Sequence, residues 1–449
     1  MMTPRTALPS SYRAAGMAAV LALAVGCGPV PGAADSHSGL DAGLASGSGP
    51  VTSELAPGRA PVLATQRVDD VLLTAVSERD VLDVVALAVN RDGVIYSGAF
   101  GDSGNEQATP IRADAVFRIA SMTKPLTSVA AMQLVERGEI ALDEPAVTYL
   151  PALGRAQVLD RFDAEQETYA LRPPSSPITV RHLLTHTAGF GYAFTSDTLR
   201  DFASLDSEPD LVGPLLFDPG TSWWYGTSTS WVGRLVEAVS GQSLDAYLRE
   251  HVLDPLRMPD TGFNVPEADW PRTVVAARRH SDGDLVRGAR QDPSPVTTFG
   301  GGGGLWSTAH DYGRFMRMWL NNGELDGQRV LSAETVATMA ANHVGPLAAG
   351  AIVSALPDQS NDFTPTADGR GRFGLGFLIN LDDQPGRRAA GSLAWAGLYN
   401  TYFWIDPASG VGGVILSQVL PFADPQILSV FEAFERAIYT FVADTSSIE

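Results

Sequence analysis

Residues 121–138 read SMTKPLTSVAAMQLVERG, and the interpretation of the whole chain starts from this stretch. Apolar residues recur along it at helical spacing, and Gly138 follows where a helix would end. The positions on the apolar face are Leu126, Val129, Ala130, Met132, Leu134 and Val135. The pattern predicts an amphipathic helix over residues 122–137, with Ser121 and Lys124 on one face of its first turn.

The spacing of three between Ser121 and Lys124 indicates nucleophilic catalysis. A serine hydroxyl is a poor nucleophile unless a base takes its proton, and a lysine kept neutral can be that base. The helix N-terminus also turns N–H groups and a positive dipole toward an oxyanion formed at Ser121. Lys124 is the only lysine in the chain, and arginine, which cannot be deprotonated in a protein, takes the other cationic positions. The alternative is a surface lysine beside a serine that caps the helix.

The composition is that of a globular protein. The 449 residues are 45% hydrophobic and carry a formal net charge of −20, which allows one large domain or two smaller ones. The acidic balance and the lack of a basic stripe disfavour nucleic acid as a partner. Because Cys27 is the only cysteine, no disulfide can form within the chain.

The N-terminus has the pattern of an export signal. Arg5 and Arg13 precede an apolar run from Ala14 to Val25, which is too short to span a bilayer. The tetrapeptide Ala24-Val25-Gly26-Cys27 is similar to the lipobox of bacterial lipoproteins, which implies acylation of Cys27. Cleavage without lipidation, or a buried cysteine in an N-terminal helix, are the alternatives.

These features predict three regions. They are a lipoprotein-type signal peptide over residues 1–27, a flexible linker over 28–65 rich in Gly, Ala, Ser and Pro, and one folded domain over 66–445. The protein would be exported to the periplasm or cell envelope, and it would contact the membrane only through a lipid anchor at Cys27.

Strand patterns lie near both ends of the predicted domain, and helical patterns dominate its middle. Two β-branched runs, 81–89 and 93–100, flank a turn signal and predict a hairpin. Helices are predicted at 180–185, 231–239, 243–252, 310–321, 333–342 and 425–442, strands at 373–380, 392–394, 400–406 and 412–418, and long surface loops at 156–177 and 344–371. This order predicts one sheet built from both ends of the chain, with a helical lobe between them.

Three motifs follow one another along the chain: Ser121-Met122-Thr123-Lys124, Trp224-Tyr225-Gly226-Thr227 and Trp395-Ala396-Gly397. Their order and separation resemble the active-site motifs of the serine β-lactamase and penicillin-binding-protein superfamily. Segments 182–189, 302–308 and 321–325 resemble its class C branch and the related family VIII carboxylesterases, and the resemblance covers about residues 66–440. It implies an α/β fold of the α+β type, an antiparallel sheet flanked by helices, with a helical lobe and the active site in the groove between them.

The resemblance also implies roles for single residues. Tyr225 matches the tyrosine that relays protons between the nucleophile, the lysine and the leaving group, and a nearby ammonium would favour its phenolate form. Gly397 permits close approach of the backbone, and the N–H of Leu398 would join the N–H of Ser121 as an oxyanion donor. Outside the resemblance, Tyr225 could equally be a half-buried aromatic residue.

Two departures from the family pattern bear on the substrate. Thr227 stands where the family often has Asn, and Trp395 stands where β-lactamases and peptidases have Lys or His. Trp395 offers an apolar face and no charge for a substrate carboxylate, although Arg387 and Arg388 could reach the groove and restore anion recognition. Without the resemblance, Trp395 would be interpreted as an ordinary core-strand residue.

We therefore predict a carboxylesterase that acts on neutral small-molecule esters, without a metal or an organic cofactor. A β-lactamase or D-amino-acid peptidase of the same fold, acting on an amide, is the nearest alternative. A non-catalytic lipoprotein that keeps the fold as a binding surface is an alternative of another class.

Three other patterns imitate functional motifs. Residues 101–104, Gly-Asp-Ser-Gly, imitate a protease nucleophile segment but predict a turn at a strand end. His182 and His186 have the spacing of a zinc pair, yet Leu183 stands where a metalloprotease has Glu, which favours structural histidines. The glycine run 300–304 lacks a following lysine, so it predicts close packing beside the groove rather than a phosphate loop.

Overall fold

A computed structural model of the chain describes residues 62–104, 109–205, 211–291, 293–366 and 369–446. The predicted signal peptide, with Cys27, and most of the predicted linker lie outside these residues. The first helix begins at Val62, so residues 62–65, which the sequence placed in the linker, are helical.

The elements of the described chain are as follows. The α-helices are α1 (Val62–Ser77), α2 (Thr123–Glu136), α3 (Val180–Leu184), α4 (Asp197–Phe202), α5 (Ser228–Ser240), α6 (Leu244–Leu248), α7 (Ala309–Leu320), α8 (Ala333–Met339) and α9 (Pro425–Ser446). Short 3-10 helices span Ala120–Met122, Ala146–Thr148, Pro151–Arg155, Ala193–Thr195 and Glu267–Arg272, and a π-helical turn, Arg249–Leu253, continues α6. Among the residues described, no helix combines the length and apolar character needed to cross a bilayer.

The strands are short except near the two ends of the domain. They are β1 (Asp83–Asn90), β2 (Val94–Gly101), β3 (Phe117–Arg118), β4 (Ala156–Asp163), β5 (Thr168–Arg172), β6 (Val212–Leu215), β7 (Ala277–Arg279), β8 (Leu285–Arg287), β9 (Trp306–Ser307), β10 (Glu324–Leu325), β11 (Gln328–Arg329), β12 (Arg372–Phe373), β13 (Leu378–Ile379), β14 (Leu393–Gly397), β15 (Thr401–Asp406), β16 (Val411–Leu416) and β17 (Val419–Leu420). The predicted hairpin and helices are confirmed with shifted ends, whereas the strand predicted at 373–380 is split into β12 and β13.

The main sheet has seven antiparallel strands in the order β12-β13-β14-β15-β16-β1-β2. Strand β1 pairs with β16, with Val85 opposite Leu416, so strands from the two ends of the domain meet inside the sheet. The prediction of one antiparallel sheet built from both chain ends and flanked by helices is therefore confirmed.

Helices cover both faces of this sheet. Val85, Leu87 and Val89 of β1 point into the larger core, which contains α2, α5 and α7. Their neighbours along the strand point into a second core against α1 and α9, because side chains alternate between the two faces. In that second core Trp404 lies across Gly413, where an added Cβ would come within 2.2 Å of the indole.

Helix α2 is the centre of the helical lobe. The sequence predicted an amphipathic helix, but the structure buries its polar residues as well. Thr127 Oγ1 donates to the Gly301 carbonyl at 2.9 Å, and Gln133 Nε2 donates to the carbonyls of His251 and Val330 at 2.9 and 3.0 Å. Buried polar groups need such partners, so the neighbouring segments hold the helix at fixed positions.

One of the two predicted loops is wrong. Residues 156–177 contain the hairpin β4–β5, and β6 pairs with β4 in parallel. Charged residues on the exposed side of this hairpin interrupt the apolar alternation that would have marked two strands. Segment 344–371 is confirmed as irregular in its described part, where an isolated bridge joins Ile352 and Phe363.

A buried ion cluster joins the turn before β14 to α9. Glu435 is fully buried, and its carboxylate accepts hydrogen bonds from Arg387 at 2.9 Å and from Arg388 at 2.7 Å. Arg388 also stacks on Trp404 and Phe431 in the second core. The two arginines therefore lie on the α9 face of the sheet.

We predict that Glu435→Ala lowers the free energy of unfolding by about 3–5 kcal/mol, because it leaves the buried Arg388 without its carboxylate, whereas Arg387 keeps its ion pair with Glu432 at 3.3 Å. Arg67→Ala is the control, since its pair with Asp444 at 2.9 Å is exposed and should contribute less than about 1 kcal/mol. Urea unfolding of both variants measures the difference. Equal losses would contradict the assigned importance of the buried cluster.

Candidate active site

The candidate nucleophile lies in a tight turn between β3 and α2. The 3-10 helix Ala120–Met122 leads directly into α2, and Ala120 adopts a left-handed conformation with φ of 43°. The Met122 carbonyl accepts a hydrogen bond from Tyr312 Oη at 3.1 Å, and Thr123 Oγ1 accepts one from the Leu305 N–H at 3.2 Å. These contacts fix the turn that presents the half-buried Ser121.

Lys124 lies at the centre of the site. Its Nζ is 3.0 Å from Ser121 Oγ, 2.8 Å from Tyr225 Oη and 2.6 Å from the Gly302 carbonyl oxygen. Tyr225 Oη donates to Ser121 Oγ at 2.6 Å, so the three side chains close a ring of hydrogen bonds. The structure therefore brings together Ser121, Lys124 and Tyr225 as the sequence predicted.

Burial decides the protonation state of this ring. Lys124 is 1% exposed, and no carboxylate of the described chain pairs with it. Burial lowers the pKa of the Lys124 ammonium well below its ordinary value of 10.5, which favours the neutral amine with a free lone pair. The alternative of a surface lysine is therefore wrong.

Burial also raises the pKa of the Tyr225 phenol, and its hydrogen bond with the Ser121 hydroxyl opposes that rise only in part. The sequence analysis expected an ammonium that favours the phenolate form of Tyr225. Burial instead favours a neutral amine beside a neutral phenol, because it lowers the pKa of Lys124 and raises the pKa of Tyr225.

Tyr225 is held in place by aromatic side chains. Its ring centroid lies 5.2 Å from His186, 5.3 Å from Tyr192 and 5.0 Å from Trp395. Gly226 follows it at a point where an added Cβ would lie 2.0 Å from the Phe190 carbonyl oxygen. Only glycine allows this close approach of two chain segments, which sets the position of the phenol.

Strand β14 reaches the nucleophile turn at Gly397. An added Cβ at Gly397 would lie 2.3 Å from the Ile119 carbonyl oxygen, so the absent side chain lets the strand and the turn touch. The Gly397 carbonyl accepts the Asn400 N–H at 3.0 Å in the turn between β14 and β15, and Leu398 is the first residue of that turn. In the described chain neither Leu398 N–H nor Ser121 N–H has an acceptor, so both can bind an oxyanion.

Trp395 is buried beside this edge of the site. It packs against Phe373 at 5.3 Å and lies parallel to the His186 ring at 6.5 Å. Its indole Nε1 has no hydrogen-bond acceptor within the part of the chain that is described. Arg387 and Arg388, the two cations that could have reached the groove and restored anion recognition, are bound to Glu435 on the other face of the sheet.

The glycine run packs beside the site, as predicted. The Gly301 and Gly302 carbonyls accept hydrogen bonds from Thr127 and Lys124, and an added Cβ at Gly301 would lie 2.6 Å from the Thr229 carbonyl oxygen. Residues 101–104 likewise form the predicted turn, in which the Gly104 N–H donates to Asp102 Oδ1 at 2.8 Å after β2 ends at Gly101.

The two histidines have separate surroundings. His182 Nδ1 accepts the Thr179 N–H at 3.2 Å in the capping box that begins α3. His186 is buried against Tyr225, and burial, with Lys124 nearby, lowers the pKa of its imidazole well below 6.5. No group of three His, Cys, Asp or Glu side chains that could hold a metal ion occurs among the described residues.

Tyr192 is the site residue that the sequence analysis missed. It is buried, and its Oη lies 3.3 Å from Lys124 Nζ. Its only sequence signal is its position three residues after Gly189, where the family-like segment 182–189 ends. No spacing rule connects it to Lys124, because the contact forms only when the segment folds over α2.

A family model described as Beta-lactamase matches residues 67–432. The chain is 32% identical over 402 residues to the monacolin J acid methylbutanoyltransferase of Aspergillus terreus, with 81% of this chain and 93% of the relative covered. It is 30% identical over 396 residues to the lovastatin esterase of Penicillium rubens, with 83% and 98% covered. The unliganded structure of simvastatin synthase from Aspergillus terreus matches with a TM-score of 0.72 and 29% identity over 84% of this chain and 98% of that one.

We predict that Lys124→Arg lowers the rate at which a fluorophosphonate labels Ser121 by at least about a hundredfold, because arginine keeps the charge but cannot accept the proton. In the unchanged protein, labelling should slow as the pH falls through the lowered pKa of Lys124, where the amine becomes an ammonium. Arg137→Lys, at the exposed end of the same helix, is the matched control. Rapid labelling of Lys124→Arg would exclude Lys124 as the base.

Proposed function

Since the chain belongs to the beta-lactamase family, we propose that it is a serine hydrolase that forms an acyl-enzyme and acts on neutral carboxylic esters. The observation that carries this proposal is the ring of Ser121, Lys124 and Tyr225, with distances of 3.0, 2.8 and 2.6 Å. A buried amine without a carboxylate partner can act as a general base. Here that amine, Lys124, contacts Ser121 at the N-terminus of a helix.

Acylation follows from these contacts. Lys124 Nζ takes the proton of Ser121 while Oγ attacks the ester carbonyl, and the N–H groups of Ser121 and Leu398 bind the oxyanion. As the carbon–oxygen bond of the leaving group breaks, Tyr225 gives its proton to the departing alkoxide and receives one from the Lys124 ammonium. The alcohol leaves, and the acyl group remains on Ser121.

Deacylation uses the same groups in reverse. Water attacks the acyl carbonyl while the ring of Lys124 and Tyr225 takes its proton. As the second tetrahedral intermediate collapses, the bond between its carbon and Ser121 Oγ breaks, and the ring returns that proton to Oγ. The acid product leaves, and the site regains its neutral amine and phenol. No charge need remain in the buried ring at the end of the cycle.

The preference for neutral esters rests on the side chains around the ring. Trp395 supplies an apolar wall where a lactamase has a cation, and Arg387 and Arg388 are bound to Glu435 on the far face of the sheet. An alcohol in place of water as the acyl acceptor would make the same chemistry an acyl transfer, and two of the relatives are named for such transfer or synthesis. Addition of a primary alcohol to the assay separates the two outcomes by the product formed.

The two alternative functions make different demands on the site. A β-lactamase or D-amino-acid peptidase needs a cation that binds the substrate carboxylate. Arg118, three residues before Ser121, is the candidate for that role. Its guanidinium stacks on Trp306 at 4.9 Å. A non-catalytic binding lipoprotein needs no reactive amine, whereas this chain buries its only lysine against the candidate nucleophile.

We predict measurable hydrolysis of short-chain p-nitrophenyl esters, with kcat/KM for nitrocefin lower by at least about tenfold. That ratio corresponds to roughly 1.4 kcal/mol of transition-state discrimination. Ser121→Ala should abolish both activities and controls for spontaneous hydrolysis. Nitrocefin turnover equal to that of the best ester would favour a β-lactamase instead.

The proposal includes export and anchoring. The apolar run before Cys27 and the linker composition of residues 28–65 support a lipoprotein of the periplasm or cell envelope, with the hydrolase domain over 66–445. The lipid at Cys27 would be the only contact of the protein with the membrane.

We predict that expression in a Gram-negative host places the protein in the membrane fraction with a lipidated Cys27, and that Cys27→Ser releases it or leaves it unprocessed. Mass spectrometry of the mature N-terminus measures this. An unmodified N-terminus at another residue would contradict the lipid anchor and leave the hydrolase proposal untouched.

A further inference from the structure

Tyr192 gives the buried lysine a second phenol. It follows Gly191, and its carbonyl accepts the Thr195 N–H at 3.1 Å in the turn that carries it over α2. Its Oη lies 3.3 Å from Lys124 Nζ, the longest of the four contacts of this amine, and its ring lies 5.3 Å from that of Tyr225. An added Cβ at Gly302 would lie 3.2 Å from Tyr192 Oη, so the glycine run leaves room for the phenol.

A count of donors separates the roles of the four contacts. A neutral amine has two N–H groups and one lone pair. If Lys124 is the base, its lone pair has to face the Ser121 hydroxyl, so its two N–H groups go to the two shortest contacts, the Gly302 carbonyl at 2.6 Å and Tyr225 Oη at 2.8 Å. Tyr192 Oη then has no N–H left to accept.

The count changes when Ser121 gives up its proton. Lys124 becomes an ammonium with three N–H groups, while Ser121 Oγ turns to the substrate carbonyl. We propose that Tyr192 is a further catalytic residue, whose hydroxyl oxygen accepts the third N–H of the Lys124 ammonium formed during acylation. This inference rests on the proposed function, in which Lys124 is the base.

The surroundings of Lys124 support this role. The Nζ atom lies over the rings of Tyr192 and Tyr225, 5.5 and 4.7 Å from their centroids, an arrangement that favours a cation. The titratable groups that face Lys124 are Tyr192, Tyr225 and His186, and no carboxylate of the described chain joins them. Burial, with Tyr225 nearby, raises the pKa of the Tyr192 phenol well above 10, so it meets the ammonium as a neutral acceptor.

The test is the pH profile of kcat/KM for a p-nitrophenyl ester with Tyr192→Phe. We expect the plateau to fall about tenfold and the acid limb to move about one unit to lower pH, because the ammonium loses an acceptor and the amine loses none. Below the acid limb the variant and the unchanged enzyme should converge. Structural damage alone would lower kcat/KM by one factor at every pH.

Tyr96→Phe is the matched control. This substitution also removes one buried phenol oxygen, in the second core, where the Tyr96 hydroxyl donates to Asp69 at 2.8 Å. It should leave the pH profile of kcat/KM unchanged. Tyr192→Leu is a second variant that removes the oxygen and must shift the limb in the same direction, with folding checked by Tm.

The outcomes separate the two proposals. Absence of ester turnover by the protein without substitutions would overturn the proposed function. If the unsubstituted enzyme is active and Tyr192→Phe has the same plateau and acid limb in its kcat/KM profile, the role of Tyr192 alone is overturned. A loss of kcat/KM by the same factor at every pH in both Tyr192 variants would also overturn it.

Discussion

The site depends on one unusual constraint, a lysine buried without a carboxylate. Desolvation lowers the pKa of Lys124, so between that pKa and 10.5 the unfolded chain binds a proton that the folded chain does not. Folding is therefore less favourable in this range as the pH falls, and the rest of the domain has to offset the difference. In return, the lowered pKa favours a neutral amine that can accept a proton, whereas a carboxylate partner would favour the ammonium.

Close backbone contacts, more than side-chain packing, bring the parts of the site together. Gly226 sets Tyr225 against the Phe190 carbonyl, Gly397 sets β14 against Ile119, and the carbonyl of Gly302 takes one N–H of Lys124. Each of the first two contacts leaves no space for a Cβ. Segments far apart in sequence can therefore approach to the distances that proton transfer requires.

The sequence predicted those features that local spacing determines. Ser121 and Lys124 lie one helical turn apart, and Asn90 to Gly93 mark a tight hairpin, so both were predicted correctly. The hairpin β4–β5 was missed because its exposed charges hide the alternation. The contact of Tyr192 with Lys124, the burial of the polar residues of α2 and the binding of Arg388 to Glu435 depend on tertiary contacts, which no short pattern contains.

The pairing of β1 with β16 has a consequence for how the chain acquires its activity. Val85 and Leu416 are partners across almost the entire domain, so this ladder has a very high contact order and cannot begin to form until the chain is nearly complete. Strand β14, with Leu398 beyond its end, lies in the same late part of the chain. A growing or truncated polypeptide that already contains Ser121 and Lys124 thus lacks Leu398, the proposed second oxyanion donor, so the proposed activity would appear only once the last strands have been made and folded.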